Sequence, residues 1–227
     1  MDLFFDLLRS VIYGVIEGIT EWLPISSTGH MILAEQVLKF SFSAEFMEMF
    51  RVVIQLGAIM AVVVLYFKKL WPFCADNGRD SGFSRHFRWP VVRLWCKIIV
   101  ACVPAAVLGL LLDDWLDAHL YNSITVALML IIYGIAFILI ERRPRVPTTT
   151  KLSRITYRQA LIVGAWQVLA LIPGTSRSGS TIIGGLLCGM SRACASQFTF
   201  FLAIPVMAGA SGLKLVKFLA GGGGFTV

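Results

Sequence analysis

Hydrophobic residues form four long, uninterrupted stretches along this chain, at about residues 46–67, 91–112, 120–140 and 198–219. An α-helix needs roughly 20 predominantly apolar residues to cross the hydrocarbon core of a membrane. Each stretch is close to that length and carries few charges. The pattern therefore predicts four transmembrane helices.

Two further apolar regions, residues 3–40 and 157–190, are each interrupted near the middle by proline and a run of Ser, Thr and Gly. Such interruptions predict helical hairpins with broken middles. The two regions also share a weak pattern, GxxE at residues 14–17 before one break and GxxQ at residues 164–167 before the other. We therefore predict an all-α, polytopic membrane protein with inverted-topology repeats, each a broken helical hairpin plus transmembrane helices.

The predicted repeats form one membrane domain, residues 1–227, and divide it into residues 1–150 and 151–227. The first repeat has its hairpin and three spans, whereas the second has its hairpin and one span. The symmetry favours a second repeat that is truncated at its C-terminus over one that is naturally minimal.

Composition and charge support the membrane assignment. With 57% hydrophobic and 15% charged residues, a soluble domain would expose more apolar surface than it could cover. The net charge of +7 comes largely from two loops, residues 68–93 and 141–158, with six basic residues each. Basic loops of this kind face the cytoplasm, so they indicate orientation and not nucleic-acid binding. On this orientation the Asp-rich turn at residues 113–121 faces outward, the first hairpin opens outward and the second inward.

Glu17 and Glu21 are the clearest candidates for chemistry, because ionisable groups inside a membrane are costly and therefore commonly functional. Their spacing of four places both carboxylates on one helix face, where they could hold a divalent metal cation with substrate phosphate oxygens. The alternative is that both lie at the membrane interface in salt bridges.

The break that follows carries Pro24 and then the polar run Ser26, Ser27, Thr28, Gly29 and His30. Proline ends one helix and the hydroxyls can cap the next, which alone could explain them. A helix N-terminus is also a favourable place for a phosphate, and His30 lies one turn into that helix. His30 is therefore a candidate catalytic residue, with a structural histidine as the alternative.

The second break contains Arg177 among small and hydroxyl residues, including Ser176, Ser178 and Thr181. A guanidinium group suits bidentate phosphate binding, and the hydroxyls add donors. The alternative is an arginine that only sets topology. If the two breaks meet, they combine carboxylates, an arginine, hydroxyls and a histidine, which favours phosphoryl chemistry over mere binding.

At these residues the sequence resembles the undecaprenyl-diphosphate phosphatase family, the bacitracin-resistance type of bacterial membrane phosphatase. The two matching motifs read EGITEWLPISSTGH from residue 17 and PGTSRSGST from residue 173. The resemblance implies hydrolysis of undecaprenyl diphosphate to undecaprenyl phosphate and inorganic phosphate. It places a multi-pass enzyme in the bacterial cytoplasmic (inner) membrane, with its active site facing the outer, periplasmic side. Such an activity recycles the cell-wall lipid carrier and confers bacitracin resistance.

The resemblance also implies roles for residues and a cofactor. Mg²⁺ or Ca²⁺ would bind at Glu17 and Glu21, with Glu17 also positioning the diphosphate and Glu21 counted with the catalytic residues. Ser27 and His30 would carry out the attack, either histidine as the nucleophile or serine with histidine as its base. The remaining substrate-binding residues would be clustered around Arg177 and the first break: Ser26, Thr28, Ser176, Ser178 and Thr181.

Two departures from the family pattern affect these expectations. The family normally continues through two more C-terminal helices, and an acidic residue is expected where Arg51 stands. Arg51 either weakens metal or substrate binding or lies at the outer interface.

The expected partners are a polyprenyl diphosphate lipid and the membrane lipids, not nucleic acid, and a homodimer is left open. The main rival function is a transporter or flippase of an anionic phospholipid or of phosphate, since inverted repeats with broken helices also build transporters.

Overall fold

The computed structural model describes residues 2–74, 86–120, 122–142 and 146–221. Nine α-helices lie within them: α1 (Asp2–Thr20), α2 (Ser27–Leu38), α3 (Ala44–Leu65), α4 (Phe67–Leu70), α5 (Trp89–Leu120), α6 (Ser123–Glu141), α7 (Tyr157–Gln167), α8 (Arg177–Leu187) and α9 (Arg192–Ala220). Two 3₁₀ turns, Leu152–Arg154 and Val168–Leu171, precede and follow α7. The all-α architecture predicted from the sequence is confirmed.

Four helices are long and apolar enough to cross a membrane within the described ranges: Ala44–Leu65, Trp89–Leu112, Ile124–Glu141 and Arg192–Ala220. They coincide with the four predicted spans to within a few residues. Large apolar side chains on these helices are exposed, among them Leu110, Leu111 and Ile124, each more than 70% exposed. Exposed apolar side chains on spanning helices contact lipid, so the chain is a multi-pass membrane protein.

The two predicted hairpins are also present. The first consists of α1 packed on α2, and the second of α7 packed on α8. The first break spans residues 21–26, and the second spans residues 168–176 with its 3₁₀ turn. The inverted relation between the two halves, and the division into residues 1–150 and 151–227, stay predictions.

One predicted turn is helical. Helix α5 continues to Leu120 through most of the Asp-rich segment, residues 113–121. The segment contains neither glycine nor proline, and Leu116 is buried, so nothing interrupts the helix. Parts of the two predicted basic loops, residues 75–85 and 143–145, lie outside the described residues.

The main core lies where α5, α7 and α9 meet. Ile98, Val163, Phe198 and Phe201 are almost fully buried in it. Gly164 allows α7 to approach α5, because a Cβ atom there would lie 2.3 Å from the carbonyl oxygen of Ala101. This close packing fixes the second hairpin against two spanning helices and so positions the break that follows α7.

Candidate active site between the two helix breaks

The first break begins where α1 ends at Thr20 and is closed by Ser26, the N-cap residue of α2. The Ser26 hydroxyl accepts a hydrogen bond from the backbone N–H of Gly29 at 3.3 Å. Ser26 has φ +65°, which is uncommon for a residue with a side chain and costs on the order of 1–3 kcal/mol. The fold therefore holds the start of α2 in a strained conformation beside the predicted catalytic residues.

The second break ends at Ser176, the N-cap residue of α8, whose hydroxyl accepts a hydrogen bond from Gly179 N–H at 3.0 Å. Gly174 has φ +87°, and a Cβ atom there would lie 2.6 Å from the Cα of Val126 in α6. Only glycine satisfies both conditions. The break is therefore packed tightly against α6, and α8 begins with Arg177 at a fixed position.

The two breaks meet through Arg177. Its Nη2 donates to Oε1 of Glu21, 156 residues away in the chain, and the two side chains are 10% and 7% exposed. The Ser27 hydroxyl donates to the other carboxylate oxygen, Oε2, at 2.6 Å. A second link joins the breaks, because the Ser178 hydroxyl donates to the carbonyl oxygen of Leu23 at 3.3 Å. The predicted association of the two motifs is therefore present.

Two of the three guanidinium nitrogens of Arg177 have no hydrogen-bond partner in the protein. Its Nε and Nη1 are buried and make no hydrogen bond within the protein. A guanidinium group with one nitrogen on a carboxylate and two without partners can bind an anion through the remaining N–H groups. This arrangement suits a phosphate placed next to Glu21.

A cavity of about 870 Å³ opens at this junction. From the first break it is lined by Glu21, Ser26, Ser27 and Thr28, and from the second by Ser176, Arg177 and Ser178. Its apolar walls come from α5 and α9, including Ile99, Leu110, Val206 and Leu213. The cavity thus combines a cluster of polar and charged groups at the breaks with largely apolar walls, in which α9 also places Lys214 and Lys217. This combination suits a lipid with a phosphate head group.

Three predicted site residues, all within the described ranges, lie outside the lining of this cavity: Glu17, His30 and Thr181. His30 Nδ1 lies 2.9 Å from the carbonyl oxygen of Ser26. A carbonyl oxygen only accepts, so Nδ1 carries the proton and Nε2 is the acceptor. The Thr181 hydroxyl donates to the carbonyl oxygen of Arg177 at 2.9 Å and accepts from Thr199 at 2.9 Å, so it supports the helix that carries Arg177.

Glu17 fits a cation better than any other group at the junction. Its side chain is fully buried, and neither carboxylate oxygen makes a well-formed hydrogen bond, although Glu21 and Ser27 lie within hydrogen-bonding reach. It also lies within electrostatic range of Glu21 and Arg177. Within the described part of the chain no three His, Cys, Asp or Glu side chains cluster as a metal site. A cation held by Glu17 and Glu21 would therefore take its other ligands from substrate oxygens and water.

Arg51 is paired with Glu35 rather than with the site. Its Nε lies 3.0 Å from Oε1 of Glu35, and the Tyr13 hydroxyl donates to the same carboxylate. Arg51 lies outside the lining of the cavity. The positive charge at this position is therefore compensated by a carboxylate from α2.

Sequence reasoning missed six polar residues that line the cavity: Thr20, Gln55, Gln167, Thr175, Lys214 and Lys217. Gln55 joins α3 to α2 by donating to the Thr28 hydroxyl at 3.1 Å. For Gln167 the sequence offered one indication, because it occupies the position in the weak repeat pattern that Glu17 has in the first copy. Thr175 differs from its hydroxyl neighbours only in what surrounds it, which sequence does not reveal.

Comparison with known proteins gives the family. The model of the bacitracin resistance protein BacA family matches residues 10–226. This chain belongs to that family. An undecaprenyl-diphosphatase of Enterococcus faecalis is 60% identical over 225 residues, covering 98% of this chain and 79% of that protein.

Two further relatives carry the same name. That of Lactococcus lactis subsp. lactis is 56% identical, covering 96% of this chain and 78% of its own length. That of Streptococcus sanguinis is 55% identical, covering 96% and 77%. The two helix breaks and their motifs lie inside the region matched by the family.

Proposed function

We propose that this protein is a membrane phosphatase that hydrolyses undecaprenyl diphosphate to undecaprenyl phosphate and inorganic phosphate. The observation that carries the proposal is the junction of Arg177, Glu21 and Ser27 at the polar part of a cavity with largely apolar walls. Family membership and the names of the relatives support the same substrate. The reaction would recycle a cell-wall lipid carrier and so underlie resistance to bacitracin.

Arg177 would bind the terminal phosphate. Its unpartnered Nε and Nη1 can donate to two phosphate oxygens while Nη2 stays on Glu21. Ser176, Ser178 and Thr28 line the same part of the cavity and add neutral donors. Donors fixed in a site with little water stabilise the charge that develops on the transferred phosphoryl group.

Ser27 would be the nucleophile and Glu21 its base. The Ser27 hydroxyl already donates to Glu21 Oε2 at 2.6 Å and lines the cavity, whereas His30 lies outside the cavity lining. In the first step Ser27 Oγ bonds to the terminal phosphorus, its proton passes to Glu21, and the bond to the bridging oxygen breaks. Undecaprenyl phosphate leaves. Water then cleaves the phosphoserine, which releases inorganic phosphate and returns the proton to Ser27.

His30 would act through the geometry of the break. Its bond to the Ser26 carbonyl oxygen spans the first turn of α2 and holds the strained residue that precedes Ser27. This makes His30 a positioning residue for the nucleophile. Replacing it should lower turnover less than replacing Ser27.

A divalent cation, Mg²⁺ or Ca²⁺, would be held by Glu17 together with Glu21 and would neutralise charge on the diphosphate oxygens. The carboxylate of Glu17, which makes no well-formed hydrogen bond, supports this assignment. The orientation inferred from loop charge supports a site that faces the periplasmic side of the cytoplasmic membrane.

The test is phosphate release from undecaprenyl diphosphate by purified protein in detergent with Mg²⁺ or Ca²⁺. Ser27→Ala should reduce turnover by about a hundredfold or more. Ser180→Ala is the matched control, because the Ser180 hydroxyl is also buried but donates to Tyr133 at 2.8 Å and lies outside the cavity lining. The control should keep turnover per folded molecule.

The same assay separates the phosphatase from the transporter. Detergent abolishes any gradient across a membrane, so a transporter or flippase would release no phosphate. A folded wild-type protein without turnover would therefore contradict the proposal. Turnover that survives in Ser27→Ala but not in His30→Ala would leave the activity standing and make His30 the nucleophile.

A further inference from the structure

Gln167 carries a buried amide that the protein itself leaves without a partner. It is the last residue of α7 and its side chain is 2% exposed. Neither Nε2 nor Oε1 makes a hydrogen bond, although the residue lines the cavity at the junction of the two breaks. Two other glutamines behave differently: Gln55 donates to Thr28, and Gln159 bonds to Thr149, Thr156 and Cys188.

A buried amide without partners destabilises the fold, since it has lost its hydrogen bonds to water and gained none in return. An apolar side chain of the same shape would serve packing better. The polar group at position 167 is therefore better explained by a ligand than by the stability of the helix bundle.

Thr175, in the second break, is a further buried residue whose polar group has no hydrogen-bond partner. Its side chain is 6% exposed, its hydroxyl has no hydrogen-bond partner, and it lines the same cavity. Arg177, two residues later, has Nε and Nη1 without partners. An amide, a hydroxyl and part of a guanidinium group thus border one cavity with unused donors, which matches a ligand that carries several acceptor oxygens.

We propose that Gln167 and Thr175 form a second anion-binding subsite that, next to Arg177, binds the diphosphate group of the substrate. This subsite rests on the proposed function for the identity of its ligand. The amide of Gln167 is enclosed in the unliganded protein, so its side chain turns toward the cavity when the diphosphate binds. Neutral donors extend the anion site without adding charge to the membrane interior.

The subsite also gives the two breaks different tasks. In the weak repeat pattern of the sequence, Gln167 occupies the position that Glu17 has in the first copy. A carboxylate on the first side suits a cation, and an amide on the second side suits phosphate oxygens. The second break then holds the anion from two directions, through Arg177 and through Gln167 with Thr175.

The experiment uses Gln167→Met and Thr175→Val, which remove the polar groups and nearly keep the shape of each side chain. The probe is the methylene-bridged analogue of farnesyl diphosphate, which binds as a prenyl diphosphate and resists hydrolysis. Thermal unfolding without ligand and the Kd of the analogue are measured on purified protein. Each variant should keep or raise the Tm and weaken binding about tenfold, which corresponds to about 1.4 kcal/mol.

Gln159→Met is the matched control, because Gln159 makes hydrogen bonds in the protein and lies outside the cavity lining. It should lower the Tm and leave the Kd unchanged. A lower Tm or a failure to fold in Gln167→Met would overturn the proposal, since it would show a structural role for the amide. Unchanged binding in both subsite variants would overturn it as well.

The experiments can refute the phosphatase proposal and the subsite proposal independently of each other. A wild-type protein that binds the analogue but releases no phosphate from undecaprenyl diphosphate refutes the phosphatase and leaves the subsite standing. Normal turnover, with binding of the analogue unaffected in Gln167→Met and Thr175→Val, refutes the subsite and leaves the phosphatase standing.

Discussion

Replacing Arg177 by methionine leaves the carboxylate of Glu21 buried without its positive partner. The two side chains are only 10% and 7% exposed, so water compensates little. Breaking a buried ion pair from one side costs about 3–5 kcal/mol. Ser27 still donates to Glu21, and the cavity admits some water, so we expect a value near the lower end, about 3 kcal/mol. For a chain of this length the Tm should fall by roughly 6–12 °C.

The double variant Arg177→Met with Glu21→Leu tests the reasoning. Replacing both partners of a buried pair by apolar residues is often neutral or stabilising, so the Tm should return to that of the wild type or exceed it. A thiol-reactive dye can report unfolding in a Cys96→Ser background, because Cys96 is exposed in the folded protein and Cys194 is only 3% exposed. Phosphate release should be lost in the single and double variants alike.

Two results would refute this account. A wild-type Tm in Arg177→Met would mean that the ion pair does not hold the breaks together. A double variant whose loss of stability equals the sum of the two single losses would mean that Arg177 and Glu21 do not interact.

Three further predictions follow from the geometry. Gly174→Ala should destabilise the protein by at least about 2 kcal/mol, because alanine is strained at φ +87° and its Cβ would meet Val126; an unchanged Tm in the dye assay would contradict this. Chelation with EDTA should stop phosphate release by the wild type. Glu17→Gln should raise by roughly tenfold the concentration of Mg²⁺ or Ca²⁺ that restores phosphate release. Activity that survives chelation would exclude the cation. Glu141→Gln should shift the Tm by less than about 4 °C, since the two side chains of its ion pair with Arg192 are 42% and 70% exposed and solvent weakens their attraction. A larger fall in the Tm would show that the pair is buried in the purified protein.

The spanning helices could be predicted from sequence because hydrophobicity and length alone decide them. The span expected at residues 46–67 is the helix Ala44–Leu65, and that expected at residues 198–219 lies within Arg192–Ala220. The ends were less certain, because nothing in hydropathy marks where a helix stops outside the hydrocarbon. Helix α5 runs on to Leu120 for that reason.

The residue types of the site could be predicted from the sequence, but the contacts between those residues could not. Ionisable and hydroxyl residues at two helix breaks indicated a phosphate site, yet no local rule links Arg177 to Glu21 across 156 residues. Spacing places His30 one turn into α2 but does not predict that its Nδ1 bonds to the carbonyl oxygen of Ser26. Such choices depend on how the breaks pack together, which is a property of the tertiary structure.

The unpartnered polar groups were beyond sequence reasoning for a related reason. For a glutamine or threonine at a helix break, the sequence predicts a hydrogen bond that caps a helix or joins two helices. Both explanations fit many such residues. All four residues are buried, and only the absence of hydrogen-bond partners sets Gln167 and Thr175 apart from Gln55 and Ser176. The weak correspondence of Gln167 with Glu17 was the one available signal.

Several features that lower stability lie at or beside the two breaks. Ser26 has positive φ, Gly174 is packed against backbone, and Glu17 and Gln167 are buried without well-formed hydrogen bonds. Each of these lowers stability, and stability alone would favour apolar packing at the last two positions. Ser26 and Gln167 line the cavity at the junction, and Glu17 and Gly174 lie outside its lining. Such features are expected where a protein holds charged groups in place before its substrate arrives, because donors that are already fixed need not reorganise during the reaction. A protein with only a structural role in the membrane would not be expected to keep strained backbone and unsatisfied polar groups. Their presence therefore supports a functional site at the junction of the two breaks.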